Sequence, residues 1–258
     1  MRFGALIIGD ELLRGKRQDR HFPKLVELLG ARGLHLSWAE YLGDNRAQLT
    51  AAFRRTFATG DAVFCFGGIG STPDDQTRQS VAAALGVGLV LHPGAATLIR
   101  AAIQRRSGQE PSVQQLQMGE FPEGAELIPN AYNGIPGFSL REHHFMPGFP
   151  VMAHPMLEWL LDERYAAFHH RQAEVEASIF VYGIPESVAT PLMIDIETRF
   201  DCLKVFSLPH VGGDGMRRHI ELGVRGDPAQ VRAAIVDLRE GVLALGATYD
   251  EDAPAREG

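Results

Sequence analysis

Hydrophobic positions along the chain alternate between strand-like runs and helix-like spacing. Residues 3–8 are an unbroken apolar run and predict a buried strand. Phe22, Leu25, Val26 and Leu29 then recur at helical spacing, with Asp19 as an expected N-cap, Pro23 in the first turn and Gly33 as the stop. Leu34 to Leu42 predicts a second strand. Asp44 is the expected N-cap of a helix whose one-sided face is Leu49, Ala52, Phe53, Thr56 and Phe57. Ala62 to Phe66 is a short apolar run bounded by Asp61 and Gly67, the pattern of a central parallel strand buried on both faces. A glycine-rich loop follows, then a helix through Val81, Ala84 and Leu85 that stops at Gly86. Helical patterns cover 94–106 and 112–118, and strands are expected at 125–128, 136–140 and 143–146. A helix after Pro150 carries Met156, Leu157, Leu160 and Leu161. This alternation predicts an α/β fold with a mostly parallel sheet and helices on both faces.

A boundary is expected near 165–173, where the polar run His169-His170-Arg171-Gln172 separates two patterns. Beyond it Glu174 to Tyr182 alternates like a half-exposed strand. A helix from Glu186 to Phe200, strands near 202–208 and 217–224, and a helix from Pro228 to Val242 follow. The reading is therefore a first domain over 1–168 and a small α+β domain over 173–250, with a frayed polar end after Glu251.

Composition narrows the function classes. The chain has 258 residues, enough for one large domain or a medium one with an appendage. No apolar stretch approaches the ~20 residues a membrane helix needs, so no membrane partner is expected. Basic residues number 25 against 32 acidic, a net charge of −7 without a basic stripe, which argues against duplex nucleic acid as a partner. A phosphorylated small molecule remains compatible, because backbone N–H groups hold phosphate without lysine. The two cysteines, Cys65 and Cys202, give neither a disulfide framework nor zinc spacing, and a cytoplasmic location is expected.

The most informative segment is Phe66-Gly67-Gly68-Ile69-Gly70-Ser71-Thr72-Pro73-Asp74-Asp75-Gln76-Thr77, three glycines between a buried strand and a helix. Glycine permits positive φ and close approach of backbone to ligand. Successive N–H groups in such a turn make an anion-binding concavity, and the hydroxyls of Ser71 and Thr72 can donate to phosphate oxygens. Asp74 and Asp75 add carboxylates, and phosphate beside carboxylate calls for a divalent cation such as Mg²⁺. The spacing is neither that of a P-loop nor of a dinucleotide fingerprint. The structural alternative is a turn in which Asp74 or Asp75 caps the helix. Asp10 and Glu11 follow the first strand, at the sheet edge where open α/β sheets bind ligands. His143-His144 and His169-His170 are adjacent pairs whose side chains point apart on a strand, so they read as surface or core fillers. His21 stands beside an expected site loop.

The loop from Gly67 to Thr77 resembles the Gly-Gly-x-Gly-x-Thr-x-x-Asp-x-Thr signature of the MoaB/Mog molybdopterin-binding domain, and more closely the competence/damage-inducible protein A (CinA) family that carries it. Gly9-Asp10-Glu11-Leu12-Leu13-Arg14-Gly15, Gly43-Asp44, Pro136-Gly137-Phe138, Met146-Pro147-Gly148-Phe149-Pro150 and Gly183-Ile184-Pro185-Glu186-Ser187 resemble further landmarks in order. The resemblance implies a three-layer MoaB/Mog-like domain, a homo-oligomer, and molybdopterin, an adenine nucleotide or ADP-ribose as ligand. It matches Asp44 and Asp75 to two aspartates needed for adenylyl transfer and makes them the expected catalytic pair. Gly9, Asp10, Glu11, Gly67, Gly68, Gly70, Ser71, Thr72, Thr77, Pro147 and Gly148 become the expected ligand-binding set, and Asp10, Asp74 and Asp75 the expected cation ligands.

Two departures fall on loops beside that site. Arg20-His21 replaces a usual Thr-Asn after Asp19, and Met152 stands where a glutamate is usual. Three readings therefore stay open: metal-dependent hydrolysis of a phosphoanhydride such as ADP-ribose, binding of pterin or nucleotide without turnover, and molybdopterin adenylyl transfer. Longer members of the family carry an amidase domain, and the chain is expected to be a short form without it.

Overall fold

Six buried residues, Phe3–Ile8, form the strand β1 around which the first unit is built. The computed structural model describes residues 1–170, 174–201, 203–212 and 217–254. Arg171, Gln172 and Ala173 of the expected boundary, and Cys202, lie outside the described residues. The chain divides into two compact units, Met1–His169 and His170–Gly258.

In the first unit β1 leads to a short α1 (Asp10–Leu13), α2 (His21–Gly30), β2 (Leu36–Leu42), α3 (Arg46–Phe57), β3 (Ala62–Phe66) and α4 (Thr77–Leu85). Then come β4 (Leu89–Leu91), α5 (Pro93–Ser107), α6 (Val113–Gln117), β5 (Glu120–Pro122), β6 (Glu126–Ile128), β7 (Gly137–Leu140), β8 (His143–Met146) and α7 (Pro150–Arg164). One six-stranded sheet runs β2-β1-β3-β8-β7-β6. The pairs among β2, β1, β3 and β8 are parallel, and β7 and β6 add antiparallel pairs at one edge.

The period of two along each strand sends successive side chains to opposite faces, and this creates three layers. Phe3, Ala5, Ile7, Phe64 and Phe66 pack with Leu25 and Leu29 of α2 and Leu157 and Leu160 of α7. Leu6, Ile8, Val63 and Cys65 pack on the other side with Leu49 and Phe53 of α3 and Val81 of α4. Both cysteine and phenylalanines of β3 are thereby buried, as the unbroken apolar run requires.

Two local expectations change. The carboxylate of Asp44 does not cap α3; Asn45 does, its side chain accepting from Gln48 N–H at 3.0 Å. Asp44 is drawn away because its oxygen accepts the N–H of Asp10 instead. The N-cap of α2 is Arg20 rather than Asp19, but Asp19, one residue earlier, still serves the helix start, its carboxylate accepting the N–H groups of His21 and Phe22 at 2.8 and 3.0 Å. The two-stranded pair β4-β5 is additional to the pattern read from sequence, its strands being only three residues each.

The second unit contains β9 (Val175–Tyr182), α8 (Glu186–Arg199), β10 (Lys204–His210), β11 (His219–Gly226), α9 (Pro228–Ala244) and β12 (Thr248–Asp250). Its antiparallel sheet runs β10-β11-β9-β12. Ile179, Leu222 and Val224 of the sheet pack with Ile196 of α8 and Leu238 of α9, an α+β arrangement with its own core.

Candidate functional site

Strand order reverses at β1: the chain goes from β1 outward to β2, then returns to place β3 on the other side. The loops leaving β1 and β3 therefore diverge, and a crevice opens beyond their carboxyl ends. A cavity of about 420 Å³ lies there.

The loop after β3 forms one wall. Gly67 and Gly68 have φ of +104° and +68°, and a Cβ at Gly67 would collide with the carbonyl oxygen of Ile8. The turn is thus pressed against the end of β1. Thr77, fully buried at the start of α4, fixes it from below: its Oγ1 donates to Gly67 O at 3.0 Å and its N–H to Gly68 O at 3.0 Å. The far end is folded by Asp75, whose carboxylate accepts Thr72 N–H at 2.9 Å and Thr72 Oγ1 at 2.5 Å. Arg78 ties the middle down. Its guanidinium is buried and donates to Gly70 O at 2.5 Å, to Glu120 O at 3.1 Å and to Gln117 O. With these ties made, the N–H groups of Gly68, Ile69, Gly70 and Ser71 donate to no backbone acceptor among the described residues. Four consecutive residues of the cavity wall thus carry amides that are not spent within the loop.

Carboxylates line the cavity from both the glycine loop (Asp74 and Asp75) and the segments after β1 and β2 (Glu11 and Asp44). Burial raises the Asp44 carboxyl above the ordinary aspartate range; the Asp10 N–H opposes this, and the charges of Asp10, Glu11 and Asp74 add to it. The rest of the wall is made by Pro147 and Gly148 after β8, by Phe149, and by Ile135, Pro136 and Met152, which give it an apolar side.

Of the expected ligand-binding residues, Gly9, Glu11, Gly67, Gly68, Gly70, Ser71, Thr72, Pro147 and Gly148 line the cavity together, as do Asp44 and Asp75. Asp10 and Thr77 do not. The Asp10 carboxylate is occupied by Asp44 N–H at 3.2 Å and by Arg14 Nη2 at 2.7 Å. The Thr77 hydroxyl is spent on the loop it supports. The expected cation set of Asp10, Asp74 and Asp75 is not assembled: Asp10 faces Arg14, Asp75 folds back on Thr72, and no three His, Cys, Asp or Glu side chains converge as a metal shell among the described residues. Neither Asp74 nor Asp75 caps α4, whose N-cap is Gln76.

Sequence reasoning missed Arg17, Met118, Asn130 and Asn133 in the cavity wall, and Arg78 beneath it. Asn133 lies in an irregular segment, where it donates to Met152 Sδ at 3.4 Å and accepts Ile135 N–H at 2.9 Å. No periodicity marks such a position. His21 is buried under the Gly148 wall, its ring stacked on Phe66 at 4.5 Å and its Nε2 3.2 Å from Gly148 O. Burial lowers its pKa, so the ring is neutral and Nε2 carries the donated proton.

The family described as "Probable molybdopterin binding domain" matches residues 4–167. A CinA-like protein of Anaeromyxobacter sp. (strain Fw109-5) is 38% identical over 195 residues, 73% of this chain and 46% of that protein. A CinA-like protein of Anaeromyxobacter dehalogenans (strain 2CP-C) is 33% identical over 259 residues, 95% of this chain and 60% of that protein. The chain thus spans about half the length of the curated relatives it matches. A crystal structure titled as the protein CinA with unknown function from Thermoplasma acidophilum shares the fold with a TM-score of 0.56 at 23% identity, covering 63% of this chain and 96% of that one.

Proposed function

The chain belongs to the molybdopterin-binding domain family, and from that premise we propose that its cavity binds a phosphorylated pterin or nucleotide, with the phosphate on the loop from Gly68 to Thr72. The observation that carries this reading is the row of unpaired amides from Gly68 to Ser71 on residues that line a cavity of about 420 Å³. Backbone N–H groups converging in such a turn stabilise an anion without needing a cationic side chain. Ser71 adds a hydroxyl at the same wall. The flat ring of the ligand would lie against Ile135, Pro136 and Met152, where apolar surface is available.

A second reading adds catalysis of the ADP-ribose hydrolase type, and Asp44 favours it. A carboxyl raised by burial, lining the phosphate cavity, is suited to accept a proton from an attacking water. A divalent cation would supply charge neutralisation between phosphate and carboxylates. Among the described residues no three His, Cys, Asp or Glu side chains form a protein shell for one. The homo-oligomer implied by the resemblance belongs to the same proposal.

Calorimetric titration with AMP, ADP-ribose and molybdopterin, with AMP release followed in the ADP-ribose samples, tests both readings. Binding without release supports a binder; release lost in Asp44→Asn supports the hydrolase. No binding of any of the three would sink the proposal.

A further inference from the structure

A second cavity, of about 390 Å³, adjoins the first and shares Ile8, Glu11, Arg17, Gly148 and Phe149 with it. Its remaining wall comes from Gln18, Asp19, Arg20 and His21, on the loop before α2, and from Pro150 at the start of α7. The two cavities differ in charge. The first holds Glu11, Asp44, Asp74 and Asp75 against Arg17 alone, whereas the second sets Arg17 and Arg20 against Glu11 and Asp19.

The carboxylate of Asp19 is already engaged, by the N–H groups of His21 and Phe22 and by the hydroxyl of Tyr41 at 2.8 Å. Arg17 leans over the Phe149 ring at 6.0 Å. Arg17 and Arg20 form no ion pair among the described residues. The 15-residue helix α7 begins at this cavity, and its N-cap, Phe149, gives it no side-chain cap. His21 lines the cavity at 4% exposure, and its Nδ1 has no hydrogen-bond partner. With Nε2 donating to Gly148 O in a neutral ring, Nδ1 is a covered acceptor and takes no part in holding an anion, so the charge partners of this cavity are its arginines.

We propose that this second cavity receives a further anionic group of the ligand whose first phosphate lies on the glycine loop, with Arg20 and Arg17 as its charge partners. The inference rests on the phosphate reading of that loop. Arg17 lines both cavities and stands where the two groups of one ligand would be joined. Arg20 lines the second cavity and not the first, so it distinguishes ligands that extend from ligands that do not.

The test is calorimetric titration of the wild type and Arg20→Gln with AMP, ATP and ADP-ribose, in chelator so that the bare anions are compared. Arg20 is exposed, so the substitution leaves the fold intact. ATP is expected to bind about tenfold tighter than AMP, and ADP-ribose, whose second phosphate is also a further anionic group, tighter than AMP. Arg20→Gln should erase most of the ATP advantage and leave AMP unchanged. Equal affinities for AMP and ATP, an ATP advantage that survives in Arg20→Gln, or an equal loss of AMP in the variant would each overturn this inference while leaving the glycine-loop reading in place. Failure of all three nucleotides to bind the wild type would overturn both.

Discussion

Asp10 and Asp44 hold each other's backbone: Asp44 Oδ2 accepts the N–H of Asp10 at 2.9 Å, and Asp10 Oδ1 accepts the N–H of Asp44 at 3.2 Å. This reciprocal pair joins the segments that leave β1 and β2, two neighbouring parallel strands. It sets the acidic rim of the cavity and commits Asp10 to structure. Asp10→Ala should loosen that rim and cost about 1 kcal/mol, the usual net worth of a hydrogen bond at a partly exposed site. Both tryptophans, Trp38 and Trp159, lie in the first unit, so urea unfolding followed by tryptophan fluorescence reads this unit alone. An unchanged midpoint would show that the pair is not needed.

The same pair predicts a pH effect at Asp44. Its folded carboxyl is raised above the ordinary range, chiefly by burial. The folded state therefore holds its proton to higher pH than the unfolded state does. The stability this contributes is complete below the unfolded pKa and is lost as pH rises through the folded value. Asp44→Asn removes the penalty of burying the charge. The variant should gain on the wild type as pH is raised from 3 to about 7, measured by urea midpoints. A constant difference across that range would refute the assignment.

Thr77 supports the glycine loop from within. Thr77→Val removes the hydroxyl that donates to Gly67 O and leaves a buried carbonyl without that donor. A cost of about 1–3 kcal/mol is expected, with weaker binding of AMP. Thr77→Ser should restore both, because it returns the hydroxyl. Failure of serine to rescue binding would place the role in the methyl group.

Arg78 joins the loop to the segment that precedes and begins β5. Arg78→Lys keeps a charge but loses the fork that reaches Gly70, Gln117 and Glu120 together. A loss of about 2–3 kcal/mol is expected, since hydrogen bonds from a charged donor are worth roughly twice neutral ones. AMP affinity should fall with it. If lysine bound AMP as tightly as the wild type, the guanidinium would be shown to act on stability alone.

These residues mark the limit of what the sequence shows. β1 and β3 are legible because strands buried on both faces leave unbroken apolar runs, Phe3–Ile8 and Ala62–Phe66. The loop between β3 and α4 is legible because only glycine accepts the φ values of Gly67 and Gly68. Arg78 is not legible: one arginine on a helix reads as solvent-facing, and its burial depends on carbonyls 39 and 42 positions away. Asn45 rather than Asp44 caps α3 because a residue 34 positions earlier competes for the Asp44 carboxylate. The strands β4, β5 and β12 are three residues long and not legible, whereas the equally short β6 lies within the expected strand 125–128.

A buried polar chain beneath β7 and β8 predicts acid sensitivity of the first unit. Ser139 Oγ and His144 Nδ1 are 2.8 Å apart, His144 Nε2 and Tyr165 OH are 2.6 Å apart, and Tyr165 OH donates to Glu142 at 2.8 Å. His143, on the opposite face, stacks on Phe57 at 3.8 Å and meets Thr56 Oγ1 at 2.9 Å. Burial pushes the pKa of each histidine down to about 3. The folded state keeps both neutral, so their contribution is complete above the unfolded pKa and is lost as pH falls from about 6.5 toward 3. Each ring costs about 1.4 kcal/mol per pH unit inside that window, as proton uptake by the unfolded chain competes with folding. Replacing both by glutamine should lower stability at neutral pH yet flatten its dependence on pH by up to two protons. Tryptophan-detected urea midpoints between pH 7 and pH 4 measure that slope, and a slope unchanged by the double substitution would show that other groups control the acid response.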